Sequence, residues 1–205
     1  MDAPEYDGIS THADLVAWSR AYAREVRRDR FVDVRFDLVD WKVSTRAKRR
    51  AGALKRPRVE GAEVGTTIDW ETARTPDGRR ADGRPFPATL SLTWGAFESF
   101  DRAEWQSTIR HELIHLEQYQ QCGTTDHGSE FKTRAADLDT GVHCDVFTDP
   151  EYVLHCRDCD GTVAYRYREC KLVRRAEEYR SSCCGSPLRV ADSDSFATRD
   201  GESRA

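Results

Sequence analysis

His111-Glu112-Leu113-Ile114-His115 lies inside an apolar repeat formed by Trp105, Ile109, Leu113 and Leu116, and that repeat decides how the surrounding chain folds. Asp101, followed three positions on by Glu104, is a capping box, so a helix opens there and runs to about Gln121. Two residues four apart differ by roughly 40° around a helix, so both imidazoles can face one ion. Zinc would need a third protein ligand and an open position for water. Glu112, next to the first histidine, is placed to take a proton from that water and pass it to a leaving amine. Leu113 and Ile114 face the core and fix the helix beneath the site.

His127 is the favoured third ligand. It stands in Asp126-His127-Gly128-Ser129-Glu130-Phe131, just before a second helix predicted over Gly128 to Leu138 with Phe131 and Leu138 inward. A short return would carry it back over the first helix. His12, His143 and His155 compete, but none has the Gly-x-x-Phe context that locks a following helix in place.

Working outward, Ser10 or Thr11 caps a helix with Leu15, Trp18, Tyr22 and Val26 on one stripe, ending near Arg30. Val32, Val34, Phe36 and Leu38 alternate as a half-buried strand would. A phase shift at Val39 to Trp41 predicts a bulge, with extended chain from Val43 to Arg50. After the breaks at Gly52, Pro57 and Gly61, Val64, Thr66, Ile68 and Trp70 form a second alternating run. Residues 72–87 read as a turn-rich surface loop. Leu90, Leu92 and Trp94 give a third strand. From Tyr152 the pattern changes to short β-like runs punctuated by cysteines, and the tail from Ala191 is polar.

Seven cysteines is an odd number, and five of them (Cys156, Cys159, Cys170, Cys183, Cys184) fall within one 29-residue stretch. The N-terminus carries neither a basic nor an apolar signal region, so the clustering points to metal before disulfides. Cys156-x-x-Cys159 is one zinc knuckle by spacing. Cys122 and Cys144 read as ordinary thiols. No window approaches 18 uncharged apolar residues, which excludes a membrane helix, and a cytoplasmic location is expected.

Net charge is -4, yet Arg46, Lys48, Arg49, Arg50, Lys55, Arg56 and Arg58 form a strip without an acidic residue, leaving -11 on the rest. Such a strip can contact a polyanion locally or form a solvated hairpin. Near the cysteines, Arg166, Arg168, Lys171, Arg174 and Arg175 alternate with Tyr165 and Tyr167, a mixture suited to phosphate contacts and base stacking. Trp41, beside the first strip, could serve as an exposed platform.

With HELIH at 111–115 and DHGSEF at 126–131, the sequence resembles the SprT-like family of zinc metalloproteases. The likeness extends upstream to Trp41-x-Val-Ser-x-Arg46 with Ala51-Gly52, and downstream to a C-terminal zinc ribbon. It implies His111, His115 and His127 as ligands of a catalytic zinc, Glu112 as base, and action on proteins trapped on DNA, with DNA as activator. The family usually ends in Tyr-x-Cys-x-x-Cys-Gly-Gly-x-Leu. Here Tyr179-Arg180-Ser181-Ser182-Cys183-Cys184-Gly185-Ser186-Pro187-Leu188 puts Cys184 at the fourth ligand position and Ser181 at the third. Cys183 or Cys170 could substitute, although vicinal cysteines ordinarily point in different directions.

The expected fold is α+β: a zincin-like metalloprotease domain with helices on a small sheet over 1–145, a β-rich zinc ribbon over 146–191, and a disordered tail over 192–205. One catalytic and one structural zinc are expected, the latter on Cys156, Cys159, Cys183 and Cys184. The expected partners are DNA, single-stranded or frayed and met through Arg46, Lys48, Arg49, Arg50, Lys55 and Arg56, and proteins on that DNA, which implies chromosome association. A DNA-binding module with a purely structural zinc and a general zinc peptidase unconnected to DNA are the competing readings.

Overall fold

The computed structural model describes residues 3–143 and 146–192. It combines helices with two small sheets, an α+β arrangement, and divides into two compact units, Met1–Phe147 and Thr148–Ala205.

The first unit opens with α1 (His12–Arg30), whose Thr11 cap exchanges hydrogen bonds with Asp14. Leu15, Trp18 and Ala23 form its buried stripe. The expected strand over Val32–Leu38 does not form. Phe31 and Val34 are the buried pair, three residues apart rather than two, while Val32 is 62% exposed. The Val34 amide closes a turn onto Phe31, and Arg27 Nε donates to the Val34 carbonyl at 2.9 Å, so the alternation is absorbed by the exit from α1.

Three strands make the sheet: β1 (Val39–Ser44), β2 (Gly52–Lys55) and β3 (Ala88–Thr93), in the order β1-β3-β2. β1 runs parallel to β3, with Trp41 opposite Leu90. β2 is antiparallel to it, with Leu54 opposite Leu90. The central strand β3 is buried on both faces through Leu90, Ser91, Leu92 and Thr93. Only four residues long and flanked by arginines, β2 carries too little apolar pattern to show in the sequence.

Val64–Trp70 is likewise not a strand. The Ile68 amide and Trp70 Nε1 both donate at 2.8 Å, to the carbonyls of Gln121 and Gln120. The segment thus satisfies carbonyls at the end of a helix, which have no partner within it. Trp94 does not extend β3 but begins α2 (Trp94–Ser99).

Next comes α3 (Arg102–Cys122), capped by the Asp101–Glu104 box and closed by left-handed Gly123 (φ 72°). Its Trp105, Ile109, Leu113 and Leu116 are fully buried. Each is worth roughly 1.5–3 kcal/mol in burial, enough to anchor the helix against β2, α1 and the following α4 (Ser129–Asp137). Trp41 packs half-buried against this core and is not a free platform.

In the second unit, β4 (Tyr152–Cys156) lies between β5 (Thr162–Arg166) and β6 (Leu188–Asp192), antiparallel to both. A short helix α5 (Lys171–Arg174) follows β5, and Leu154, Ala176 and Leu188 form a small core. Asp192, placed in a tail by sequence, ends β6 opposite Tyr152. The rest of that tail, 193–205, and the thiol of Cys144 lie outside the described residues. Among the described residues no helix is long and apolar enough to cross a membrane.

Candidate metal and active site

α3 presents His111, Glu112 and His115 on its buried side, with relative exposures of 6%, 3% and 9%. Gly123 then reverses the chain, and Asp126 fixes the return. Its amide donates to Gln118 Oε1 at 3.3 Å, and its Oδ1 accepts from the Gly128 amide at 2.9 Å. A Cβ on Gly128 would lie 2.9 Å from the Asp126 carboxylate, so a larger residue before α4 would have to displace the side chain that fixes this loop. The loop delivers His127 to the helix.

The three imidazoles converge through their Nε2 atoms: His115 to His127 is 3.1 Å and His127 to His111 is 3.3 Å. Zinc–nitrogen bonds near 2.0–2.1 Å at tetrahedral angles would set ligand nitrogens roughly 3.3 Å apart, so the spacing suits one such ion. His111 Nδ1 lies 2.9 Å from the Gly141 carbonyl; donating there, it leaves the Nε2 lone pair for the shared centre. Phe131 of α4 sets its ring 4.6–4.9 Å from all three imidazoles and holds them from below. Burial lowers the pKa of each histidine, that of His115 to about 3, so all three are neutral near pH 7, the form a metal requires.

Glu112 is enclosed against β2. Burial pushes its carboxyl up to about 8, against the opposing pull of the Leu54 amide and Arg50. A cavity of about 390 Å³ opens over this group, lined by Gly52, Leu54, the three histidines, Glu112, Arg49 and Arg50. His143 lines it too, a residue the sequence offered only as a rival third ligand; His12 instead packs on Trp94, and His155 lies on β4.

The basic strip is split. Arg49 and Arg50 are on the cavity wall, whereas Arg56 lies over the Tyr119 ring and donates to Thr124 and Thr125 hydroxyls at 3.2 and 3.1 Å. Arg46, Lys48, Lys55 and Arg58 lie outside that wall.

A second group of candidate ligands belongs to the second unit. The sulfurs of Cys156, Cys159, Cys183 and Cys184 all lie within 4.8 Å of one another, and Cys159 and Cys183 approach to 3.5 Å. Tetrahedral zinc–sulfur bonds of about 2.3 Å would place sulfurs roughly 3.8 Å apart. Both vicinal cysteines are brought in, contrary to the expected divergence, because the turn through 182–184 ends on left-handed Gly185 (φ 67°). Ser181 takes part without ligating: its hydroxyl donates to Cys156 Sγ at 3.2 Å and holds that thiol below its usual pKa. Cys170 is outside the group, at the start of α5.

These geometries were partly hidden in the sequence. Nothing local marks Gly52, the Leu54 amide or the Gly141 carbonyl as neighbours of Glu112 and His111, since each contact joins distant segments.

No curated protein and no solved structure matches the chain. The SprT-like family profile matches residues 17–148, which includes α3, the His127 loop and nearly all of the first unit. Spanning more than half of the sequence, that match makes this protein a member of the SprT-like family.

Proposed function

We propose that the chain is a zinc-dependent endopeptidase that cleaves flexible segments of proteins on DNA. The observation that carries this reading is the Glu112 carboxyl, buried beside three converging imidazoles and open to one cavity. A site of purely structural purpose is ordinarily closed by four protein ligands and has no use for such a carboxylate.

When bound by His111, His115 and His127, zinc supplies Lewis acidity, polarising a carbonyl and acidifying water. Glu112 takes one proton from the attacking water at a carboxylate oxygen and gives it to the amide nitrogen as the C–N bond breaks. The Leu54 amide, hydrogen-bonded to the carboxylate, keeps it aligned, and the charge of Arg50 favours its ionised form.

Substrate positioning falls to β2. The Thr93 amide donates to the Ala51 carbonyl at 2.8 Å, so by antiparallel alternation both backbone groups of Gly52 and the carbonyl of Leu54 are turned away from β3 and left for a substrate strand, the Leu54 amide being taken by Glu112. An extended peptide can pair along that edge, which favours unfolded segments over folded ones. Arg49 and Arg50 on the same wall support a nearby phosphate backbone.

The test is cleavage of a DNA-binding protein with and without single-stranded DNA, by wild type and Glu112→Gln. DNA-stimulated cleavage lost in the variant supports the whole reading. Cleavage indifferent to DNA reduces it to a general peptidase, for which the engagement of Arg56 away from the strip already speaks.

A further inference from the structure

We propose that His143 is a catalytic residue, donating a hydrogen bond to the substrate carbonyl oxygen as that carbon becomes tetrahedral. The inference rests on the peptidase reading above and concerns a residue outside both ligand groups.

His143 shares the cavity with Glu112, yet its nitrogens are not among the converging ones. Its ring centroid is 5.9 Å from that of His127, against 4.6–5.2 Å within the triad, which leaves it one step out from the shared centre. An imidazole set back from the shared centre but facing the same cavity can present an N–H to a substrate oxygen instead of ligating the ion.

The loop is built for placement. The Gly141 carbonyl fixes the His111 ring, Val142 lines the cavity, and His143 follows directly. A Cβ on Gly141 would lie 2.9 Å from the His143 carbonyl oxygen, so the turn is too tight for any other residue without adjustment. One short segment therefore orients a ligand and presents a donor. Among the other cationic or donor groups on the wall, Arg50 acts on Glu112, the proton-transfer side. The carbonyl oxygen develops negative charge as water adds to its carbon. A preorganised donor there stabilises the transition state more than the ground state.

The experiment uses the whole zinc-loaded 205-residue chain as wild type, His143→Ala and His143→Gln, with three readouts. These are zinc content after dialysis, kcat and KM on denatured casein, and calorimetric binding of acetohydroxamate, whose oxygens mimic the reacting pair. For His143→Ala we expect unchanged zinc content, KM within about twofold, kcat lower by about 100-fold and acetohydroxamate binding weaker by about tenfold. His143→Gln, which keeps an N–H donor, recovers part of both losses. Loss of zinc in His143→Ala would overturn the proposal in favour of a fourth ligand, and three unchanged readouts would overturn it in favour of a bystander. Should wild type cleave nothing, the peptidase reading fails. The acetohydroxamate arm then still decides whether His143 donates into the site.

Discussion

The Glu112 side chain occupies the space that a Cβ on Gly52 would need: that carbon would lie 2.7 Å from Glu112 Cγ and 2.8 Å from its Oε1. The strand edge and the Glu112 carboxyl are thus fitted to each other. The family-like Ala51-Gly52 pair has a physical reason here, which is close approach and not a left-handed backbone.

Gly52→Ala should therefore damage the reaction without unfolding the protein. The backbone accepts alanine, so the clash is relieved by moving the Glu112 carboxyl. A displacement near 1 Å in such a group costs about 100-fold in rate. Zinc content and melting temperature should stay near wild type while kcat on denatured casein falls. Full activity in the variant would disconnect β2 from the chemistry.

Removing one imidazole should separate the two metal groups. His127→Ala leaves two converging nitrogens on α3 and an intact cysteine group in the other unit. Metal analysis after chelator dialysis should show that the variant retains less zinc than wild type but more than none. Equal zinc in both proteins would count against the triad as a binding site.

In the metal-free protein, stability should depend on pH with a maximum near pH 6.5. His115 has a folded pKa near 3 against the usual 6.5, and His111 and His127 are also lowered, so below pH 6.5 the unfolded chain binds more protons and stability falls with acid. Glu112 has the opposite sign: its folded pKa near 8 exceeds the usual 4.5, so the folded chain holds the extra proton and stability falls as pH rises towards 8. Below about 6.5 the His115 effect offsets that of the single carboxyl, and the lowered His111 and His127 tip the balance so that stability falls with acid. Thermal melts of chelator-stripped protein should show both limbs, and Glu112→Gln should flatten only the alkaline one. An unchanged alkaline limb in that variant would assign it to other groups.

What the sequence revealed follows from range. The α3 helix, its capping box and the paired histidines are local, written in 3.6-residue spacing and in Asp101 with Glu104, and they stand where they were read. Val32–Leu38 and Val64–Trp70 alternate convincingly, yet their backbone groups are taken by Arg27 and by the end of α3, distant or sideways partners that alternation cannot display. β2 was missed for the converse reason: four residues with no apolar run become a strand only because β3 lies beside them. In the candidate site, His111, Glu112 and His115 share one helix face, but Gly52, Phe131 and Gly141 reach it by tertiary contact.

The cysteine group allows a test in which one position replaces another. Ser181 stands where the family pattern has cysteine, and its hydroxyl is already 3.2 Å from Cys156 Sγ, buried at 4% exposure. Cys183, 3.5 Å from Cys159, supplies the fourth sulfur of the group in place of a cysteine at 181. In a His127→Ala background, which isolates this group, Cys183→Ser should weaken zinc binding by roughly 100-fold or more, because a thiolate ligand is lost from a four-sulfur set. Adding Ser181→Cys to that variant should recover most of the affinity, since the new thiol would enter the group from the neighbouring turn. Cys170→Ser should change nothing, as that thiol is outside the cluster. Chelator competition reads all three variants. Retention of full affinity by Cys183→Ser would mean that three cysteines and Ser181 suffice. Failure of Ser181→Cys to rescue would mean that the turn through 182–184, and not the count of sulfurs, governs the site.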